Sequence, residues 1–205
     1  MKTRSELKAE AREKLGGGIF TDKWLYIVLL VLIIGAIMGL TYGVGLILTG
    51  PIMVGVAGAL LAIVRGQDDK LDFDKLFNGF KKKLGDNIVL GLLQFLFIFL
   101  WSLLFVIPGI VKAYQYAFAF YISHDNPSLE PMQCLEKSKE MTKGHKMELF
   151  ILDLSFIGWY IVGALCLGVG TLWVSAYHTM TRTLFYREIE AEQGGYISSG
   201  SYTNE

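Results

Sequence analysis

The sequence predicts an all-α, polytopic membrane helical bundle. About six transmembrane helices are expected as three hairpins, each preceded by an amphipathic cytoplasmic helix. Three observations carry this. Hydrophobic residues make up 53% of the chain and charged residues only 19%, with a mean hydropathy of +0.44, which is too little polar surface for a soluble domain. The charges cluster in a few segments separated by long charge-free runs. One arrangement also recurs three times: a charged helical surface, a glycine, then an apolar run. The copies are Ser5–Gly18 before Trp24, Asp72–Gly85 before Asn87, and the stretch from Met141 through Gly144 into Leu149–Trp159.

The first amphipathic segment opens with Thr3 and Glu6, the T-x-x-E spacing of a capping box. Glu10 and Lys14 are one turn apart in the favourable order. Leu7, Ala11 and Leu15 form a narrow apolar stripe, and Gly16-Gly17-Gly18 ends the helix. Such a helix either lies on anionic lipid or is a solvated helix that precedes a span.

Trp24–Val64 carries no charged residue. It is about twice the roughly 20 residues needed to cross a bilayer, so it divides into spans 24–42 and 46–64 with a turn at Thr41–Gly45. Gly50-Pro51 is expected to kink or restart the second. Gly35, Gly39 and Gly43 stand at GxxxG spacing, and Gly55/Ala59 is a small-xxx-small pair, which suits close helix packing.

In Arg65–Asp86, Phe73, Leu76, Phe77, Phe80 and Leu84 recur at helical spacing, and Lys81-Lys82-Lys83 follow. Phe73, Phe77, Phe80, Lys81, Lys82 and Lys83 are therefore candidate membrane-surface contacts, with aromatic rings in the headgroup layer and lysines on anionic lipid. The alternative is a helix packed beneath the bundle. Ile107-Pro108-Gly109 divides the next apolar run into spans 87–106 and 108–123. Lys112 is expected to snorkel to the outer headgroups.

In 124–148, Ser128 is a candidate cap, Pro131 falls in the first turn, and Met132, Leu135 and Met141 make a stripe. His124-Asp125-Asn126 reads as a linker rather than as chemistry. The last two spans are 149–166 and 169–187, turning at Gly168-Val169-Gly170. Residues 1–187 thus form one integral membrane domain. Glu188–Glu205, rich in Gly, Ser and acids, reads as a disordered cytoplasmic tail.

Lys and Arg number six in 1–23, six in 65–86, four in 124–148 and two in 182–205. This asymmetry places both termini and both long connections in the cytoplasm. The formal net charge is zero, and mixed signs within each polar segment exclude a nucleic-acid surface.

An ionisable residue inside a span is a functional-site candidate by default. Asp153 is too short to snorkel far. Arg182 lies as far after the Gly168 turn as Asp153 lies before it, so it is the expected partner, with His178 one turn deeper as the second. The site is either a clamp on the hairpin or a proton- or substrate-binding site. Catalytic, cofactor and metal sites are all expected to be absent. No H-E-x-x-H, G-x-S-x-G or Walker loop is present, and Cys134 and Cys166 are read as two free thiols.

With these segments placed, the chain resembles the bacterial multi-span membrane proteins of domain-of-unknown-function family 975. The resemblance rests on SELKAEAREKL, LFNGFKKKLG, WSLLFVIPGIVKAYQYAF and SKEMTKGHKMELFILDLSFIGWYIVG. More distantly, the layout is similar to the membrane part of some glycerophosphodiester phosphodiesterases. The resemblance implies a multi-pass protein of the bacterial cell membrane and carries over no activity. The expected function is a non-enzymatic membrane scaffold, or a protein that binds lipid or a partner. The expected partners are the bilayer, anionic lipids, and another protein or a second copy. The alternative is a small transporter or permease using Asp153, His178 and Arg182.

Overall fold

A computed structural model of the chain describes residues 2–16, 24–25, 27–29, 31–32, 44–66, 78–81, 83–165 and 169–193. Every regular element among them is a helix: α1 (Arg4–Lys14), α2 (Val44–Val64), α3 (Asn78–Lys81), α4 (Leu84–Leu104), α5 (Val106–Gln115), α6 (Ala119–Asp125), α7 (Pro131–Met141), α8 (Lys146–Leu165) and α9 (Val169–Glu192). Residues 24–25, 27–29 and 31–32 are helical as well.

Among the described residues three helices, rather than the expected six, are long and apolar enough to cross a membrane: α2 through Ile47–Val64, α4 through Leu84–Leu103 and α8 through Lys146–Leu165. Span 24–42 and the turns at Thr41–Gly43 and Gly168 lie largely outside the described residues. For two other spans the difference has a physical reason. The expected span 108–123 is broken into α5 and α6. The last helix, α9, exists but carries Thr171, Ser175, His178, Thr179, Thr181, Arg182 and Thr183. Those side chains make it too polar to cross by composition alone. Of the three apolar windows, only 17% of α4 and 22% of α8 is buried, against 72% of α2. The free apolar surface therefore lies on α4 and α8, where Leu96, Phe99, Leu100, Leu103, Ile157, Trp159, Ile161 and Leu165 are exposed.

The α4–α5 turn comes earlier and tighter than expected. Phe105 is its one non-helical residue, in extended backbone (φ −157°, ψ 142°). Pro108 falls in the first turn of α5, where a missing N–H costs nothing. Gly109 lies against Ser102 of α4, and a Cβ there would collide with the Ser102 side chain. Leu84, read from the sequence as the end of a surface helix, instead starts α4. Lys83 before it is left-handed (φ 51°), so the short helix α3 ends at Lys81. Pro51 does not interrupt α2.

The break between α5 and α6 has no glycine or proline behind it. Helix α7 satisfies it instead. The Ser138 hydroxyl donates to the freed Gln115 carbonyl at 2.9 Å and accepts the Phe118 N–H at 3.2 Å; Thr142 also donates to Gln115 at 3.4 Å. A freed backbone group buried in the core needs such a partner within the protein. Both hydroxyl residues are buried. The cap of α7 is Glu130, paired with Gln133 in a capping box, rather than Ser128, and Gly144 (φ 94°) ends the segment before α8.

The capping box of α1 forms as the sequence predicts. Its stripe does not face lipid or solvent: Leu7, Ala11 and Leu15 are all but fully buried. The helix docks on α9, where the Tyr177 hydroxyl donates to the Lys8 carbonyl at 3.0 Å, and Lys8 Nζ stands 4.3 Å from the centre of the Phe156 ring of α8. Burying two leucines contributes about 1.5–3 kcal/mol each, so the interfacial reading of α1 is replaced by a packed one. The expected tail is corrected likewise. Helix α9 continues through Glu188–Glu192 because Ile189 and Glu190 are buried and Glu188 pairs with Lys2 at 2.9 Å. Residues 194–205 lie outside the described part.

Two glycine contacts set the helix spacing. Gly50 of α2 meets Asn87 and Gly91 of α4, and Gly163 of α8 meets Gly170 of α9. A Cβ on Gly50 would fall on the Asn87 carbonyl oxygen, whereas one on Gly85 would meet nothing within 4 Å. Gly50→Ala is therefore expected to destabilise by about 1–3 kcal/mol through overpacking, and Gly85→Ala to leave the protein unchanged or slightly more stable. Thermal melts in detergent check both. Equal melting temperatures for Gly50→Ala and the parent would remove this crossing from the account.

Candidate functional site

Two polar constellations sit inside the bundle. The sequence points to the first. Asp153 on α8 accepts from the Tyr114 hydroxyl at 2.9 Å through Oδ2 and lies 2.8 Å from His178 Nε2 through Oδ1. Arg182 comes only to 3.7 Å, through Nε. On its far side, His178 Nδ1 lies 3.2 Å from the Tyr160 hydroxyl, and its ring stacks on Phe156 at 4.6 Å between centroids.

Asp153, His178 and Arg182 thus converge, but the order of partners differs from expectation. The hairpin register explains why both basic residues reach. Gly163 packs on Gly170, so Asp153, ten residues before Gly163, is level with Met180, ten residues after Gly170. His178 and Arg182 flank Met180 on one face, a turn apart. Their relative closeness is then a matter of side-chain geometry rather than depth. Tyr114 was not legible, because it arrives from the other hairpin.

Beside this cluster is a cavity of about 210 Å³ between α2, α6 and α9. His178, Thr179 and Arg182 reach it, and its other walls include Met53, Phe118, Phe120 and Tyr121. Asp153 itself is not on its lining, and its side chain is half-buried.

The second constellation is at the foot of the bundle. Arg65, just past the end of α2, makes a two-pronged bond to Asp125, with both N–O distances 2.7 Å. Its guanidinium is also 3.7 Å from Glu190 on α9. The Tyr186 hydroxyl donates to Asp125 Oδ2 at 3.0 Å, His124 Nδ1 stands 3.5 Å from Oδ1, and Arg187 pairs with Glu190. The carboxylates of Asp125 and Glu190 are 4% and 2% exposed. Burial alone would raise the Asp125 carboxyl. The His124 contact, the Arg65 fork and the Tyr186 hydroxyl outweigh it and hold the group down at about 2. Desolvation opposes the charge of Arg65, but the Asp125 bonds raise it further above its ordinary range. Sequence reasoning set Asp125 aside as linker and Glu190 as tail. The available signal was Arg65 itself, the first charge after a long apolar run.

Of the expected membrane-surface contacts, Phe80 is half-buried against the core, while Lys81 and Lys83 are exposed and Lys83 pairs with Asp86 at 3.1 Å. Phe73, Phe77 and Lys82 lie outside the described residues. Among the described residues no group of three or more His, Cys, Asp or Glu side chains could hold a metal. Cys134 is free and buried in the core, where burial pushes its thiol up to about 11; Cys166 is not described.

A family model described as "Protein of unknown function (DUF975)" matches residues 1–120 and 104–193. No curated protein and no solved structure matches the chain.

Two predictions come from these clusters. A carboxyl held below its ordinary value stabilises the fold above that value and loses the contribution as pH falls. For Asp125 the window runs from the ordinary 3.8 down to about 2, and the contribution is on the order of 2 kcal/mol. Melts in detergent should show a fall in stability across that window, shallower in Asp125→Asn; identical pH profiles would remove Asp125 from the acid response. For the upper cluster, a double-mutant cycle of Asp153→Asn with His178→Phe should show coupling of about 1–2 kcal/mol. The cycle with Arg182→Gln should show less, because no hydrogen bond joins that pair. The reverse order would reject this geometry.

Proposed function

The chain belongs to the family described as "Protein of unknown function (DUF975)", and from that premise we propose a multi-pass membrane protein of the bacterial cell membrane that holds and binds rather than catalyses. One observation carries this reading: the split between a packed, ion-paired foot and two helical hairpins whose outer surface is bare hydrocarbon. The foot joins the ends of α2, α6 and α9 through Arg65, Asp125 and Glu190, with α1 tied to α9 by Lys2 and Glu188. The hairpins α4–α5 and α8–α9 leave their apolar sides open, which suits lipid as the missing neighbour.

In this reading the six-crossing topology survives in altered form. The polar α9 is an inner leg, so it needs no apolar composition of its own, while the broken α5–α6 leg shows Val106, Ile107, Ile110 and Val111 on its α5 part and buries Ala119 and Ile122 on its α6 part. Lys112 at the α5 end of the first hairpin stands 4.7 Å from the Trp101 ring centre, a cation–π contact that suits an outer interface. Both termini and the two long connections face the cytoplasm. Asp153 has a partner on each oxygen, Tyr114 and His178, and this favours a clamp over a transport path.

Reporters test the topology. Fusions near Asp69 and Asn126 and after Glu205 are expected to be cytoplasmic, and those at Gly43 and Gly168 external; an external Asn126 reporter sinks the topology. Asp153→Asn tests the role. It removes a titratable group that a proton-coupled path needs, yet leaves an amide that can still meet Tyr114 and His178. The variant should melt lower in detergent but still restore the phenotype of a strain lacking the protein, at matched expression. Normal stability with lost complementation would favour the transporter reading instead.

A further inference from the structure

The cavity between α2, α6 and α9 is walled mainly by Met53, Val56, Ala57, Phe118 and Phe120, and three polar side chains from α9 line it. Two polar groups near it already have partners. His178 is shared between Asp153 and Tyr160, and the Tyr121 hydroxyl is 3.1 Å from Thr183 Oγ1. Arg182 is different. Its one contact among the described residues is the 3.7 Å approach of Nε to Asp153, which already has two closer partners. No hydrogen bond from its guanidinium is present among the described residues, and its side chain is 33% exposed.

A guanidinium is a planar fork of five donors that never loses its charge and matches oxyanions in two-pronged geometry. Such a fork, without a hydrogen bond of its own among the described residues, is available to an oxyanion in the apolar cavity beside it. Thr179 adds a hydroxyl on the same face, so a tetrahedral anion with several oxygens is better served than a planar one. The volume, about 210 Å³, falls short of the roughly 300–1,000 Å³ of sites that enclose a whole small molecule. It suits a head with the rest of the ligand outside.

We propose that this cavity binds a phosphate group on Arg182, with Thr179 as a second donor, supplied by a phospholipid headgroup or by free phosphate. The apolar walls and the adjoining lipid-facing helices favour the lipid source. This goes beyond the holding role proposed above. It depends on the cavity and Arg182 alone, so one can fail without the other.

The test is native mass spectrometry of the delipidated full chain in mild detergent, offered dioleoylphosphatidylglycerol, dioleoylglycerol or inorganic phosphate. The parent should retain phosphatidylglycerol over dioleoylglycerol, which has the same chains and no phosphate. Arg182→Gln should weaken that retention about tenfold. Ala57→Leu, which fills the cavity without touching any charge, should weaken it similarly, and Lys143→Gln on the surface should not. Melts of each variant separate lost binding from lost folding, and Ala57→Leu keeps the test decisive if Arg182→Gln unfolds. Preference for phosphatidylglycerol over inorganic phosphate supports the lipid source. Inorganic phosphate binding that depends on Arg182, with no lipid preference, supports the site with a soluble anion. Equal retention of the two dioleoyl compounds with no Arg182-dependent binding of inorganic phosphate, or full binding by both folded cavity variants, overturns the proposal.

Discussion

A guanidinium at the foot of an apolar helix fixes how the rest of the chain can pack. Helix α2 carries no charge until Arg65, and the first charge after it must find acceptors or water. It finds Asp125 at the end of α6 and Glu190 near the end of α9. These three ends are therefore brought to one point, though they lie far apart in sequence. Tyr186 and His124 complete the acceptor side. Such a cluster is weak evidence for net stability, because desolvation offsets much of the attraction. Its stronger effect is on uniqueness: any other docking of α2 leaves a charge stranded.

The foot also explains why a helix can break inside the bundle. Between Gln115 and Ala119 the backbone turns without a glycine or proline. Ser138 and Thr142 of α7 take up the groups this releases. The break redirects α6 so that Asp125 reaches Arg65 and Phe118 enters the aromatic packing with Phe185 and Tyr186. Helix α7 is then a structural part of the core rather than a surface segment. This matches the burial of Cys134, Leu135, Ser138 and Met141 along one face.

What could be read from the sequence was whatever follows from local composition. The capping box at Thr3, the stop at Gly144, the hairpin at Pro108 and the helices α2, α4 and α8 all depend on near neighbours or on hydropathy. What could not be read depends on distant partners. The α5–α6 break has its cause in α7, some twenty residues on. The continuation of α9 past Glu188 has its cause in Lys2 and Arg65. Asp153 and Arg182 were legible as a pair because a short hairpin converts sequence distance into depth. Tyr114 was not, because no such ruler links the two hairpins. The surface role expected of α1 failed for a related reason: a thin apolar stripe says that something covers it, not whether that cover is lipid or protein.

The two polar clusters differ in what they leave unfinished. At the foot, Asp125 has its acceptors filled by Arg65 and Tyr186, and what is left over is an acceptor, Glu190 Oε1, buried without a hydrogen bond 3.7 Å from Arg65. At mid-hairpin, Asp153 is likewise satisfied by Tyr114 and His178, but the satisfaction is complete without Arg182. A cation beside an already satisfied anion keeps its attraction and loses the need for that anion's oxygens. Its donors are then free for a ligand whose charge Asp153 does not cancel at close range. The same feature that makes the carboxylate a closed clamp makes the arginine an open one, so a structural role for Asp153 and a binding role for Arg182 are compatible within one cluster.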